Sequence, residues 1–290
     1  MTPPTVGRPA LEKFLKFRKG IKMTNHSLQG KYAMVTGASK GIGRAIALAF
    51  SREEAGVIIS SRGQTEGSEG GSLFSLEKEI RSSGGRAIAV RADASREEDV
   101  RTLVGRALDE FGRVDILVNN AAVFPHYHTP LVDFPVESWD ETMATNLRGV
   151  FLCIKAVLPK MIEQKAGSII NLSSIAAVRS GKGRIAYGVS KAAVERLTFG
   201  LAEEVKEFNI AVNALCPVGP TNTEGARKTF PKENPDHWVQ PEDVAAAAVW
   251  LARQSASTFT GKAVMVPAHG RRTIFIYGRG SEERPWVRID

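Results

Sequence analysis

The sequence has 290 residues, 43% of them hydrophobic, so it is long enough to bury the core of one large domain or two small ones. Its net charge of +8 lies mostly at the two ends: residues 1–22 carry six Lys and Arg against one Glu, and residues 271–290 carry five Arg against three acids, which leaves +1 for the remainder. A nearly neutral body argues against nucleic acid as a partner, and no apolar run reaches the roughly 20 residues of a membrane span.

The two ends are predicted to lie outside the folded domain. Residues 1–22 are predicted to form a basic, disordered extension, although an amphipathic stretch within them also fits a targeting peptide or a membrane-surface helix. Residues 23–270 are assigned to the domain and residues 271–290 to a basic tail. Cys153 and Cys216 lie far apart in apolar segments, which predicts a reducing, cytoplasmic location without disulfides.

The first predicted strand leads into a glycine-rich loop. Residues 32–36 are apolar apart from Thr36, glycines follow at positions 37, 41 and 43, and apolar residues then recur with helical spacing up to Phe50. A loop between a strand and a helix aims free backbone N–H groups and the helix N-terminus at a phosphate. This stretch predicts nucleotide binding, although glycine clusters also form ordinary turns.

Strands and helices then alternate to the end of the domain. Further strands are predicted at residues 57–61, 87–90, 114–118, 168–172, 210–215 and 263–266, and helices at 73–81, 95–111, 137–164, from 187 onward and at 241–253. Apolar strands alternating with amphipathic helices indicate a parallel sheet covered on both faces. The sequence therefore predicts an α/β fold, with a single doubly wound, Rossmann-type domain and a mostly parallel, seven-stranded sheet.

Tyr187 and Lys191 begin the helix after the strand at residues 168–172. Their spacing puts both side chains on one helix face, one turn apart. A phenol titrates near pH 10, so proton exchange at neutral pH needs its anion stabilised by roughly 4 kcal/mol, which an ammonium about 4 Å away supplies. The pair predicts a general acid/base tyrosine whose pKa is lowered by the lysine, although an isolated pair of this kind is usually a chance surface feature.

Over about residues 28–268 the chain resembles the short-chain dehydrogenase/reductase family. The motifs that carry the resemblance are the glycine-rich loop at 36–43, Asn119-Asn120-Ala121, Asn146, Ser174 and Tyr187-Gly188-Val189-Ser190-Lys191. The gap of 13 residues between Ser174 and Tyr187 is the usual family gap. The resemblance implies hydride transfer between a nicotinamide dinucleotide and a small carbonyl or alcohol substrate.

The resemblance also implies roles for four catalytic residues. Tyr187 would exchange the proton with the substrate oxygen, and Ser174 would hydrogen-bond that oxygen. Lys191 would lower the tyrosine pKa and hold the nicotinamide ribose hydroxyls. Asn146 would hold a water that links Lys191 to solvent; the alternative is an amide on the helix surface.

A cofactor site is implied at the carboxyl ends of the strands, and NADP(H) is predicted ahead of NAD(H). An NAD enzyme usually has an acid at the end of the second strand, whereas this chain has Ser61 and Arg62 there, with Lys40 across the pocket. Asp93 would bind the adenine, although a helix cap explains it almost as well. The predicted cofactor-binding residues are Gly37, Ser39, Lys40, Gly41, Ile42, Gly43, Ser61, Arg62, Asp93, Asn119, Tyr187, Lys191 and Pro217.

Two positions depart from the family pattern. Ala122 stands where the family has a glycine after Asn-Asn-Ala. Residues 217–220 read Pro-Val-Gly-Pro, where the family has Pro-Gly in a loop that normally touches the nicotinamide carboxamide. Thr221 and Thr223 both offer a hydroxyl for that contact.

The substrate is left open by the sequence. Its pocket would combine aromatic residues, which suit an apolar or steroid-like ligand, with Arg179, Lys182 and Arg184, which suit an acidic or acyl-thioester ligand. Residues 212–217 look a little like hydroxysteroid dehydrogenases. His126 and His128 lack a nearby cysteine or carboxylate cluster, so no metal site is predicted.

A homodimer or homotetramer is predicted, because the helix around residues 143–161 and the tyrosine helix carry more apolar residues than one sheet face needs. The alternative to an enzyme is a catalytically silent dinucleotide-binding regulator. The presence of both Tyr187 and Lys191 favours the enzyme.

Overall fold

One nine-stranded sheet forms the centre of the fold. The structure is a computed structural model, and it describes residues 27–63, 72–268, 274–278 and 287–289. The predicted extension at residues 1–22 lies outside these residues. The strands are β1 (Tyr32–Thr36), β2 (Gly56–Ser61), β3 (Ala87–Arg91), β4 (Ile116–Asn119), β5 (Gly167–Leu172), β6 (Ile210–Pro217), β7 (Lys262–Val266), β8 (Ile274–Gly278) and β9 (Val287–Ile289).

Helices cover the sheet. They are α1 (Gly41–Arg52), α2 (Leu73–Ser82), α3 (Glu97–Phe111), α4 (Val136–Met143), α5 (Gly149–Gln164), α6 (Ile185–Val205), α7 (Glu224–Thr229) and α8 (Pro241–Ala252). A π-helical turn at Ala144–Arg148 joins α4 to α5, which together form the long helix predicted at residues 137–164. Within the described ranges, no helix combines the length and the apolarity that a membrane crossing requires.

The strand order is β3-β2-β1-β4-β5-β6-β7-β8-β9. Strands β1 to β7 run parallel, whereas β8 and β9 run antiparallel to their neighbours. The order reverses at the β1–β4 pair, and a crevice opens at the carboxyl ends of strands where this happens. The predicted doubly wound α/β fold is confirmed.

Alternate residues of the central strands enter opposite halves of the core. In β2, Val57 and Ile59 pack into one hydrophobic cluster and Ile58 into the other, and all three are fully buried. Burying a side chain of this size contributes about 1.5–3 kcal/mol. Because both faces of each strand are covered, apolar runs rather than alternating patterns predict these strands.

The prediction of seven strands is wrong by two. Strand β8 pairs with β7, and β9 pairs with β8. Both lie in residues 271–290, which were predicted to be a basic tail. The run Ile-Phe-Ile-Tyr-Gly at 274–278 carries a strand signal that the arginines around it masked. Strand β7 is consequently paired on both sides.

Candidate active site

A cavity of about 800 Å³ opens at the carboxyl edge of the sheet. The turns after strands β1 to β6 line it, together with the first turns of α6. Its volume lies toward the upper end of the range for small-molecule sites, which suits a long ligand beside a shorter one.

Ser174, Tyr187 and Lys191 all line this cavity. Ser174 follows β5; its Oγ accepts from the Ala176 N–H at 3.2 Å, and its hydroxyl lies close enough to the Tyr187 phenol to oppose the rise of the Tyr187 pKa. Lys191 Nζ lies 5.6 Å from the centre of the Tyr187 ring and donates to the Leu172 carbonyl at 2.7 Å. Because Lys191 is only 3% exposed, this carbonyl replaces part of its lost hydration.

The expectation that the Tyr187 pKa is lowered is wrong for this geometry. Burial raises the pKa of Tyr187 to about 12, and the hydrogen bond with Ser174 opposes this only in part. Burial lowers the pKa of Lys191 to about 8, and the Glu195 carboxylate opposes this only in part. The sequence argument weighed the neighbouring charge without the desolvation that disfavours both charged forms. At neutral pH the tyrosine is therefore a proton donor and the lysine is a cation.

Asn146 lies behind the cavity wall, fully buried in the π-helical turn. Its Nδ2 donates to the Val123 carbonyl at 2.8 Å and to Ser190 Oγ at 3.1 Å, and its Oδ1 accepts from the Val123 N–H at 2.7 Å. The alternative of an amide on the helix surface is wrong. Asn146 instead joins the turn after β4 to Ser190 on α6, the residue that precedes Lys191.

Eleven of the thirteen predicted cofactor-binding residues line the cavity, and Gly43 and Asn119 do not. Gly43 lies on the buried face of α1, where a Cβ would meet Asn120 Nδ2 at 2.5 Å. Asn119 Nδ2 donates to a side chain of β5 at 2.9 Å. Asn120 lines the cavity, and its Nδ2 donates to the carbonyls of Thr36 and Gly37. The second asparagine, not the first, therefore supports the glycine-rich loop.

Ser61, Arg62 and Lys40 line the part of the cavity formed after β2 and β1. Lys40 and Arg62 are exposed, and Ser61 is buried beside them. Arg62 Nη1 forms an ion pair with Glu141 at 3.4 Å, between side chains that are both about half exposed. Such a pair contributes little, so Arg62 can turn to another anion at small cost.

Asp93 does not cap α3, because the N-cap of that helix is Arg96, which makes no side-chain capping hydrogen bond; adenine binding by Asp93 stays a prediction. Its Oδ1 accepts from the Ser95 N–H at 2.9 Å and from Ser95 Oγ at 2.7 Å, and these bonds close the turn that precedes α3. Asp93 also lines the cavity beside the end of β2.

The loop after β6 accommodates the departure from the Pro-Gly pattern. The Val218 N–H donates to the Val266 carbonyl at 2.9 Å, so pairing with β7 continues one residue past Pro217. Thr221 and Thr223 both line the cavity, and Thr223 Oγ1 caps α7 by accepting from a backbone N–H. Neither threonine is excluded as a ligand contact.

Two features of the wall leave polar groups for a bound cofactor to satisfy. The side chain of Lys40, the N-cap residue of α1, makes no capping hydrogen bond, and Gly41 and Ile42 in the first turn of that helix line the cavity. Backbone N–H groups at such an end bind phosphate. Glu224 Oε2 is buried in the wall with no hydrogen-bond donor among the described residues. A buried acceptor costs free energy unless a ligand or water donates to it. The sequence analysis did not identify Glu224 as a candidate site residue.

Comparison of the sequence with known proteins shows which family the chain belongs to. Residues 37–268 match the family model described as enoyl-(acyl carrier protein) reductase. A short chain dehydrogenase/reductase of Aspergillus oryzae is 35% identical over 83% of this chain and 94% of its own length. The chain belongs to the short-chain dehydrogenase/reductase family.

Other relatives of this short-chain dehydrogenase/reductase carry different names. Glucose 1-dehydrogenase 2 of Bacillus subtilis is 34% identical over 82% of this chain and 94% of its own length, and a 3-oxoacyl-[acyl-carrier-protein] reductase of Synechocystis is 34% identical over 80% and 93%. The crystal structure of a metagenomic short-chain oxidoreductase in complex with NADP aligns with a TM-score of 0.72 and 31% identity, covering 84% of this chain and all of that one. Family membership therefore leaves the substrate open.

Glu195, which the sequence analysis missed, lies one turn after Lys191 on α6. Its carboxylate is 5% exposed and accepts from Ser173 Oγ at 2.7 Å, from Cys216 Sγ at 3.2 Å and from the Tyr277 hydroxyl on β8. Three donors suit an ionised carboxylate, which is an acceptor-only group. Its negative charge opposes the burial that lowers the pKa of Lys191.

Tyr277→Phe is expected to destabilise this short-chain dehydrogenase/reductase by about 1–3 kcal/mol, because the buried Glu195 carboxylate loses a donor. The measurement is the free energy of unfolding in urea. Tyr32→Phe is the matched control: the Tyr32 hydroxyl accepts from an exposed arginine, so its loss should cost less than about 0.5 kcal/mol. Equal losses in the two variants would contradict the role given to Tyr277.

Proposed function

We propose that this protein transfers a hydride between a nicotinamide cofactor and a carbonyl or alcohol group of a small molecule. The observation that carries the proposal is that Ser174, Tyr187 and Lys191 line the same cavity as the glycine-rich loop, Lys40 and Arg62. The bound cofactor supplies or accepts the hydride. The protein supplies binding, orientation and the proton.

Tyr187 and Ser174 act on the substrate oxygen. The protonated phenol gives its proton to a carbonyl oxygen as that oxygen gains negative charge, while the Ser174 hydroxyl donates a hydrogen bond that stabilises the charge. In alcohol oxidation the proton returns to the tyrosine. Lys191, whose Nζ lies 5.6 Å from the centre of the Tyr187 ring, stabilises the phenolate and holds ribose hydroxyls of the cofactor.

Tyr187→Phe is expected to fold and bind cofactor normally but to lose turnover by at least about 100-fold, because only the proton-transfer group is removed. Lys191→Ala should lose both turnover and cofactor affinity, since the lysine has two roles. The measurements are steady-state rates and cofactor binding by calorimetry. Near-normal turnover of Tyr187→Phe would show that another group transfers the proton.

The pH dependence should differ between the two reaction directions. With the pKa of Tyr187 raised to about 12 by burial, the phenol needed for reduction is fully populated at pH 6–8, whereas the phenolate needed for oxidation increases with pH. Alcohol oxidation should therefore rise from pH 7 to about pH 8 and level off above that, where the gain in phenolate is offset by loss of the Lys191 proton. Reduction should stay level and then fall above about pH 8, where Lys191 loses its proton. An oxidation rate that levels off below pH 8 would mean that the phenol titrates lower than its burial dictates.

NADP(H) is the proposed cofactor. Lys40 and Arg62 line the cavity, and the solved relative bound to NADP shares the fold at 31% identity. Each charge-assisted contact to a 2′-phosphate is worth at least about 1.5 kcal/mol, so two give about 3 kcal/mol, or roughly a 100-fold preference over NAD(H).

This preference should collapse when both cations are removed. The measurement is the ratio of kcat/KM with NADPH and NADH, and the double variant Lys40→Ala with Arg62→Ala should bring it close to one. Lys78→Ala, an exposed lysine on α2 outside the cavity, is the control and should leave the ratio unchanged. A wild-type ratio near one would mean that Lys40 and Arg62 do not bind the 2′-phosphate.

A homodimer or homotetramer is also proposed. Phe151 on α5 and Ile185 and Val189 on α6 are each 45–47% exposed, and exposed apolar residues grouped on helices favour association. A chain beginning at Met23 should elute in size-exclusion chromatography with light scattering as a dimer or larger, and a monomer would contradict the proposal.

The alternative of a silent regulator has no support, since the family and the tyrosine–lysine pair both favour catalysis. A cytoplasmic location is proposed from Cys153 and Cys216, which are both buried and unpaired as thiols.

A further inference from the structure

The cavity has an aromatic wall around the catalytic tyrosine. The rings of Phe124 and Tyr127 stand edge-on to Tyr187, with centroids 5.8 and 5.9 Å from its own. Phe230 stands edge-on to Tyr127 at 5.5 Å, and all four residues line the cavity. Rings at these separations attract one another and form a firm surface for a flat, apolar ligand.

One basic residue enters the cavity at this wall. The sequence analysis proposed three basic residues for the substrate pocket. Arg179 and Lys182 are exposed and do not line the cavity, whereas Arg184 is partly buried and lines it. The Arg184 guanidinium lies 5.5 Å from the centre of the Tyr127 ring. No carboxylate in the described part of the chain forms an ion pair with it. A planar guanidinium binds carboxylates in a bidentate manner, so it is available to an anionic ligand.

The field at this wall favours an anion. Burial raises the pKa of Tyr127, and of the two charges that act on it, Arg184 lowers that pKa more than the exposed Glu233 raises it. The nearby acid therefore does not cancel the guanidinium.

Backbone packing fixes Arg184 relative to the aromatic wall. Gly183 precedes it with φ of 70°, and a Cβ at Gly183 would lie 2.3 Å from the backbone of His128. The His128 N–H donates to the Gly183 carbonyl at 2.9 Å, and His128 itself has φ of 84°. Two segments are thus locked together at positions where side chains are rarely tolerated, which is typical of a shaped binding site.

We propose that the substrate is an aryl ketone, or the corresponding alcohol, that bears a carboxylate on the side of the ring away from the reacting carbon. The proposal rests on the proposed function and names its substrate class. The carbonyl lies at Tyr187 and Ser174, the flat ring contacts Phe124, Tyr127 and Phe230, and the carboxylate pairs with Arg184.

Two other ligand classes leave part of this wall unused. A neutral steroid-like ketone would contact the rings but leave the guanidinium to water. An acyl thioester would bring a flexible chain to a surface built from flat rings. The aryl acid is the class that uses both features.

The test compares charged and neutral probes of the same shape. The probes are 4-acetylbenzoate against 4-acetylbenzamide, and 6-acetyl-2-naphthoate against its carboxamide, assayed by NADPH oxidation. The wild type should favour the acids by at least about tenfold in kcat/KM. Arg184→Ala should lower kcat/KM for the acids about tenfold while changing it for the amides less than twofold, and Arg184→Lys should retain part of the preference. Lys182→Ala, exposed and outside the cavity, is the matched control and should keep the wild-type preference.

The outcomes separate this proposal from the proposed function. If Arg184→Ala lowers kcat/KM equally for acids and amides, Arg184 only positions Tyr127 and does not bind a carboxylate, which overturns the proposal. So would faster turnover of a 3-oxobutanoyl thioester, or of other neutral ketones, than of either acid. If no carbonyl compound is reduced, the proposed function fails. The charge preference is then read from calorimetric binding of the same probes, where equal affinities for acid and amide overturn it.

Discussion

A buried ammonium on α6 is the constraint on which the rest of the site depends. Lys191 is almost fully buried, so its charge is unfavourable unless nearby groups replace the lost water. The Leu172 carbonyl accepts a hydrogen bond from it, and the Glu195 carboxylate supplies an opposite charge. Three consecutive residues at the carboxyl end of β5 thereby meet α6: the Leu172 carbonyl accepts from Lys191, the Ser173 hydroxyl donates to Glu195, and the Ser174 hydroxyl lies close enough to the tyrosine to influence its pKa. The helix cannot slide along the strand without breaking all three contacts.

The fold was predictable because each parallel strand is covered on both faces. Strand β1 was placed at its observed bounds and the other predicted strands within about two residues, since continuous apolar runs separated by glycine leave little choice. Strands β8 and β9 were missed for a physical reason. They lie at one side of the sheet, in a segment whose arginines resemble a solvated tail.

The site was predictable where function depends on residue type and spacing, and less so where it depends on packing. Tyr187 and Lys191 follow from a spacing of four on a helix, and Ser174 from its distance to the tyrosine. Which of two adjacent asparagines faces the cavity depends on the direction of the strand end, which sequence does not specify. The direction of the Tyr187 pKa shift was predicted wrongly. Burial causes this shift, and how deeply a side chain is buried depends on how the interior packs.

Glu195 extends this dependence to the last part of the sheet. Its donors come from the turn after β5, from β6 and from β8, so one helix carboxylate connects three parts of the sheet to α6. Burial also raises the pKa of Cys216 well above its usual value, so the thiol stays protonated and donates rather than competing for the site as an anion. Since β8 supplies the Tyr277 hydroxyl to this carboxylate, the antiparallel strands do more than cover the edge of β7. Through Tyr277, strand β8 completes the shell of hydrogen bonds around Glu195, whose charge opposes the burial effect on Lys191, so β8 is a remote support for the end of the cavity that holds Tyr187 and Lys191.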